Sequence, residues 1–290
     1  MWILFAIGGA FFAALNRTVM KLAGDRTSQQ TIVFSRYFYG SFPALLLLLI
    51  VGIPEIQPAF YPAIFGAVVA DLFAIAFMSM ALHLSSMARA VPILAFTPVF
   101  LLITGQLLLG EFPSPIGLLG VLVIVAGSYW LAEERAQGGS LTEPLRMLFK
   151  DKGVLCMLGA ALGFSIAGPL FKTAVLNSSP YLCLAVSLPL GSVIYGAYIG
   201  LKERSFQTII PEKQNVRLLI LLGIGVFGVA LTTNWAFLTG LTSYVVSVKR
   251  LSILFNIMLG SLIFKEQDIK RYFLAGSIMV GGTVIIAFFS

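Results

Sequence analysis

Runs of about twenty apolar residues follow one another along almost the whole chain, and that is the length a helix needs to cross the hydrocarbon core of a bilayer. They fall at 2–22, 31–52, 59–82, 86–109 and 113–132, and then at 152–175, 180–201, 216–238, 241–264 and 270–289. The expected fold is therefore all-α, a polytopic membrane protein with ten transmembrane helices. Composition agrees: 11% of residues are charged and the mean hydropathy is +0.97, where a soluble domain has about 25% charged residues. No stretch is left for a soluble catalytic domain. The net charge of +7 is divided among short loops and buried positions, so no basic face for nucleic acid is expected. Cys156 and Cys183 lie inside apolar runs without metal-ligand spacing, so neither a metal site nor a disulfide framework is expected. The first run leads straight into Arg17 without a basic n-region and reads as a first span, not a cleavable signal.

The longest polar stretch, 133–151, divides the spans into two groups of five, 1–132 and 152–290. The groups read as repeats. At an offset of 151, Gly8 matches Gly159, Lys21 matches Lys172, and Gly40-Ser41 matches Gly191-Ser192. At an offset of 155, Ala81 matches Ala236, Gly105 matches Gly260, Glu111 matches Glu266, and Gly127 matches Gly282. Five spans is an odd number, so the second repeat enters the membrane inverted relative to the first. Inverted repeats of this kind are the architecture of many secondary transporters, with the substrate held near the midplane.

Lys249 and Arg250 stand in the ninth run, after about eight apolar-compatible residues and before about fourteen more. A cation at the bilayer centre costs roughly 2.5–3.5 kcal/mol on insertion scales. A pair is expected to face a cavity and hold negative charge. On a continuous helix Thr242, Lys249, Ser252 and Asn256 share one face, with Ser243, Ser247 and Arg250 on the adjacent stripe. The repeat places Leu94 and Ala95 at the equivalent positions of the fourth span. That asymmetry favours a substrate role over one in holding the fold; the alternative is an internal ion bridge with Asp71. Asp71 itself, in the middle of the third span, is a counter-ion or a proton site. Asn16 and Arg17 are deep enough to line a cavity, whereas Lys21, Arg36 and Lys172 are expected to snorkel toward an interface. Gly159 and Gly163 form a small-xxx-small packing face, and Trp130 is an expected interface anchor. Pro43, Pro92, Pro98, Pro169 and Pro189 sit within spans, and Pro180 after Ser178-Ser179 suits a helix start.

These features, with Ala81-Leu82-His83-Leu84-Ser85-Ser86, Pro98, Leu109-Gly110-Glu111, Leu119-Gly120 and Gly127, then Phe264-Lys265-Glu266, Gly276 and Gly281-Gly282, resemble the drug/metabolite transporter superfamily, and within it the EamA-type branch. The resemblance covers essentially the whole chain and implies a fold and a transport class, not a substrate. The Lys-Arg pair in the ninth span is similar to that of the sugar-phosphate/phosphate translocators, where such a pair grips phosphate. Those proteins add a cation on the fourth span, for which Arg89 is the nearest candidate. Their tyrosine on the eighth span has no match here, Trp235 being only an approximate neighbour.

The sequence-based expectation is a secondary transporter of a small, anionic organic metabolite, working by alternating access. Lys249 and Arg250 would bind the anion, Thr242, Ser247, Ser252 and Asn256 would complete a polar wall, and Asn16, Arg17, Arg89 and Trp235 would be outer candidates. Rivals are an exporter of amino acids or amphipathic compounds, a lipid-phosphate flippase, and a receptor. No phosphate-binding loop, zinc motif or Ser/His/Asp set is present, so neither an enzyme nor a cofactor is expected. The bilayer and the substrate are the expected partners, with a homodimer left open. The plasma (inner) membrane of a prokaryote is the expected location. Lys and Arg crowd the 1–2, 5–6, 7–8 and 9–10 connections, and the positive-inside rule then puts both termini outside; the resemblance implies cytoplasmic termini.

Overall fold

Inside a bilayer the backbone has no water to bond, so spanning segments close their hydrogen bonds within a helix, and the described spans are helical. The structure, a computed structural model, describes residues 1–24, 27–84, 91–134, 151–204, 209, 215–264 and 269–289. Its helices are α1 (Trp2–Gly24), α2 (Gln29–Val51), α3 (Phe60–Leu84), α4 (Thr97–Leu109), α5 (Pro115–Glu134), α6 (Lys152–Leu176), α7 (Pro180–Glu203), α8 (Val216–Phe237), α9 (Thr242–Lys249), α10 (Ser252–Phe264) and α11 (Ile269–Phe289). A 3₁₀ segment, Val91–Phe96, runs directly into α4. No strand occurs among the described residues. Six helices (α1, α2, α3, α6, α7 and α8) are long and apolar enough to cross a membrane, and α4, α5 and α11 carry shorter apolar stretches. Leu49, Phe65, Leu107, Val193 and Leu201 are among many large apolar side chains turned outward, an exterior suited to lipid and not to water.

Local chemistry sets several helix ends. Ser179 accepts the Leu182 N–H at 3.1 Å, with Pro180 in the first turn of α7, as the Ser-Ser-Pro sequence predicts. Ser28 caps α2 through Thr31 N–H and Asp151 caps α6 through Gly153 and Val154. Gly110 closes α4 with φ +68°, a left-handed conformation that costs a side-chain-bearing residue more, and so turns the chain toward Glu111.

Two spans differ from the expectation of unbroken helices. In the fourth, Pro92 lies in the 3₁₀ segment and Pro98 in the first turn of α4, and a proline N offers no i→i−4 donor. In the ninth, α9 ends at Lys249 and α10 begins at Ser252. Between them Arg250 N–H reaches Ser247 O at 2.9 Å and Leu251 N–H reaches Val248 O at 3.0 Å, three residues back instead of four. No proline or glycine lies at this second break. It is held by tertiary contact, since the two interruptions face each other: Arg250 Nη2 donates to Leu94 O at 2.6 Å. The breaks also correspond along the chain, because Thr97 and Ser252 open the following helices, and Leu109 and Phe264 end them, in each case 155 residues apart.

The packing repeats in the same way. Helix α3 lies along α6 and α1 along α8; α4 contacts α6, and α1 contacts both α9 and α10. Advancing by five spans exchanges the members of each set. The pairs α2–α7, α5–α11 and α4–α9 map onto themselves. The small-residue face of α6 meets α3 as its spacing predicts: a Cβ on Gly163 would stand 2.9 Å from Ala74 Cβ, and one on Gly159 would stand 2.7 Å from the Phe77 ring.

The two ends of the bundle are built differently. At one end the even-numbered connections are tied together, with Gln57 N–H on Asn177 O at 3.0 Å and Ser114 N–H on Tyr244 Oη at 3.1 Å. At the other end, α2 and α7 are joined by Gln30 Nε2 on Glu203 Oε1 at 2.6 Å, and a cavity opens between α1, α2 and α3.

Candidate functional site

Lys249 and Arg250 stand at the tightened turn between α9 and α10, and their side chains go to different neighbours. Arg250 goes to the fourth span, where its Nη2 takes the Leu94 carbonyl while its Nε stays buried without a hydrogen-bond partner. Lys249 goes to α1. Its Cγ lies 3.7 Å from where a Cβ on Gly9 would stand, and the Thr232 and Thr233 hydroxyls of α8 border the same point at 3.1 and 3.5 Å. Each of those hydroxyls donates within α8, to Gly228 O at 2.7 Å and Val229 O at 2.6 Å, which leaves their lone pairs as acceptors. Gly9 and Thr232 are missed by sequence reasoning; glycine at position 9 reads only as one more small residue in an apolar helix.

Both cations are half-buried. Arg17 repels them, and Asp71 attracts Lys249. Asp71 does not reach Lys249: its carboxylate accepts the Tyr37 hydroxyl, so α2 and α3 hold it. Among the described residues neither Lys249 nor Arg250 forms an ion pair at contact distance; one forms elsewhere, between Lys172 and Glu111. The two central cations therefore have no carboxylate against them.

That second pair corrects the expectation for Lys172. The side chain does not snorkel: it is 6% exposed, pairs with Glu111 and donates to Gly240 O at 2.7 Å. The Glu111 Oε2 accepts the Thr242 N–H at 2.8 Å, and a carboxylate at a helix N-terminus satisfies an orphan donor and meets the positive end of the helix. One carboxylate thus binds the end of the fourth span to the start of the ninth. Glu111 appears in the sequence as part of the Leu109-Gly110-Glu111 motif and as the match of Glu266, with no sign of its partner Lys172. Its matching Glu266 lies outside the described residues.

The remaining candidates divide. Thr242 and Ser247 are fully buried with Oγ atoms that have no partner, but Thr242 lies seven residues, about 10 Å of helix rise, from Lys249. It belongs to the Glu111 end. Ser252 is buried and Asn256 half-buried on α10, and the interruption removes the continuous helical spacing that aligned them with Thr242. Asn16 donates to Leu222 O at 2.8 Å and presses on Gly225, joining α1 to α8. Trp235 stacks on Phe5 at 5.5 Å and meets the Tyr181 ring edge-on at 5.7 Å. Arg17 is exposed. Arg89 lies outside the described residues, as does the side chain of His83.

Similarity to known proteins agrees with this architecture. The model of the EamA-like transporter family matches residues 1–132 and 151–288. A solved structure, described only as the crystal structure of a protein, superposes with a TM-score of 0.78 at 18% identity, over 98% of this chain and 95% of that one. It shares the fold. No curated protein matches the chain. With both halves matched, the chain belongs to the EamA-like transporter family and is a multi-pass integral membrane protein that transports small molecules.

Proposed function

We propose that this protein is a secondary transporter of a small organic anion, with Lys249 as the principal ligand of the negative group and Arg250 as its partner. One observation carries the reading: two half-buried cations at a helix break, midway along a span, with no carboxylate in contact. Burying unpaired charge is costly, and an anionic substrate supplies what is missing. Lys offers a mobile point charge and Arg a planar fork for oxyanions. Asp71, held by Tyr37, acts as a counter-ion that steadies Lys249 between cycles.

Alternating access follows from the same reading. The two groups of five spans form inverted repeats, supported by the exchange symmetry of the packing and by breaks 155 residues apart. The end tied by Glu111, Lys172, Tyr244 and Asn177 is the closed side, and the end with the α1–α2–α3 cavity is the open one. Carrying a charged substrate past fixed cations favours exchange or proton coupling over uniport.

Proteoliposomes loaded in turn with phosphorylated metabolites, amino acids and a polyprenyl phosphate test the proposal. Uptake or exchange of a soluble anion, lost in Lys249→Ala, supports it. Full anion transport in both Lys249→Ala and Arg250→Ala, or translocation of the polyprenyl phosphate alone, overturns it.

A further inference from the structure

At the open end, a cavity of about 250 Å³ lies between α1, α2 and α3, and Arg36 is in its wall. Sequence position predicts that this arginine snorkels, which would leave its guanidinium in water. The side chain is half-buried: its Nε is closed off and has no hydrogen-bond partner, and the guanidinium carbon lies 5.4 Å from the Tyr37 ring centre. Thr27, in the same wall, also has a buried Oγ with no partner. Gln29 completes a polar side at the first residue of α2, where helix ends carry partial positive charge. The opposite wall is apolar and includes Met20, Ile75 and Met78. Buried polar groups are normally satisfied, so two unpartnered atoms on residues that line one cavity mark a place where a partner would be gained.

We infer that this cavity is a second anion site, distinct from the Lys249–Arg250 centre. Its ligand is a small oxyanion with an apolar body, a carboxylate or a phosphate monoester. The guanidinium takes the oxyanion, the Thr27 hydroxyl gives a further donor, and the methionine side chains pack the apolar body, adapting to its shape. Ile75 stands one turn from Asp71 on α3, and Met20 about one turn from Arg17 on α1, so the site lies just outside the central charges, toward the open end. The inference asks only for an anion and does not depend on the central pair binding one.

The test uses the full chain in neutral-lipid nanodiscs, with ¹⁹F NMR titration of 4-fluorobenzoate, 4-fluorophenyl phosphate and neutral 4-fluorobenzyl alcohol. All measurements are made in a Lys249→Ala/Arg250→Ala background, which silences the central site. The expected result is anion binding at least tenfold tighter than that of the alcohol, weakened about tenfold by Arg36→Gln and partly restored by Arg36→Lys. Met78→Trp, which fills the cavity and leaves every charge in place, is expected to weaken binding as well. Gel filtration and a melting curve exclude misfolding. Competition by phosphatidylglycerol in the disc assigns the site to a lipid headgroup, and no competition assigns it to a free anion; either supports the site. Binding that is absent in this background, equal for the alcohol, or unchanged by both Arg36→Gln and Met78→Trp overturns it.

Discussion

The fourth and ninth spans both depart from regular α-helix just before a final helical stretch, and they differ in side chains there. Both are interrupted at positions 155 residues apart, and both resume as thirteen-residue helices, Thr97–Leu109 and Ser252–Phe264. At the interruption one carries Leu94 and Ala95, the other Lys249 and Arg250. The interruption therefore occurs with and without charge, and only the ninth span carries cations there. What the fourth span contributes in return is a backbone carbonyl, Leu94 O, on which Arg250 rests. At this contact the ninth span supplies the cation and the fourth an acceptor.

The largest effect is expected where the two spans are bound together. Glu111→Ala leaves Lys172 buried without its carboxylate, with the Gly240 carbonyl as its acceptor, and breaking a buried pair costs about 3–5 kcal/mol. A steep loss of stability in detergent unfolding is expected, with much of it recovered when Lys172→Met is added. If the single variant unfolds like wild type, the tie between the end of one span and the start of the other is not structural.

Next comes the charge itself. Lys249→Ala should cost transport about 1.5–3 kcal/mol, the range for hydrogen bonds to charged groups, read as kcat/KM in proteoliposomes. Leu94→Ala, at the matching position, should change it far less. Moving the cation by combining Leu94→Lys with Lys249→Leu should not restore transport, because Gly9, Thr232 and Thr233 lie on the Lys249 side only. Restored transport would mean that the two copies are interchangeable.

Smaller effects probe the contact between the breaks. Thr97 Oγ donates to the same Leu94 carbonyl at 2.8 Å, so Thr97→Val should cost about 0.5–1.5 kcal/mol of stability and leave substrate KM in place. Smallest is the groove that seats Lys249. A Cβ on Gly9 would come within 3.1 Å of the Thr232 hydroxyl, whereas one on Gly8 meets only the Thr232 methyl at 3.6 Å. Gly9→Ala should raise KM roughly threefold, about 0.6 kcal/mol at 1.36 kcal/mol per tenfold, with Gly8→Ala as the silent control.

The sequence reads well wherever a rule is local or periodic. Run lengths give the helices, Ser179-Pro180 gives the start of α7, and the 155-residue offset pairs Leu94 with Lys249 before any contact is seen. It reads poorly where a partner decides. The break after Lys249 has no proline to announce it, since it depends on a carbonyl 156 residues away. Lys172 looks like its repeat partner Lys21, and only the folded turn at Gly110 brings Glu111 to it. Asn16 looks like a cavity residue until a carbonyl of α8 occupies its amide. A nearly uniform apolar composition also hides which face of a helix meets protein and which meets lipid. Direct contacts such as Gly9 with Lys249 therefore leave no mark in hydropathy.

The Leu94 carbonyl has two donors, and that fixes what happens when the fourth and ninth spans part. The acceptor keeps the Thr97 hydroxyl, which travels with it on the same span, so no carbonyl is stranded in an apolar interior. The guanidinium loses its acceptor and carries the whole penalty of separation. Disengagement is thus one-sided: it leaves the fourth span satisfied and the ninth in need of an acceptor. Under the proposed anion transport, a bound substrate would supply that acceptor and release the coupling between the two halves, and an empty carrier would stay latched.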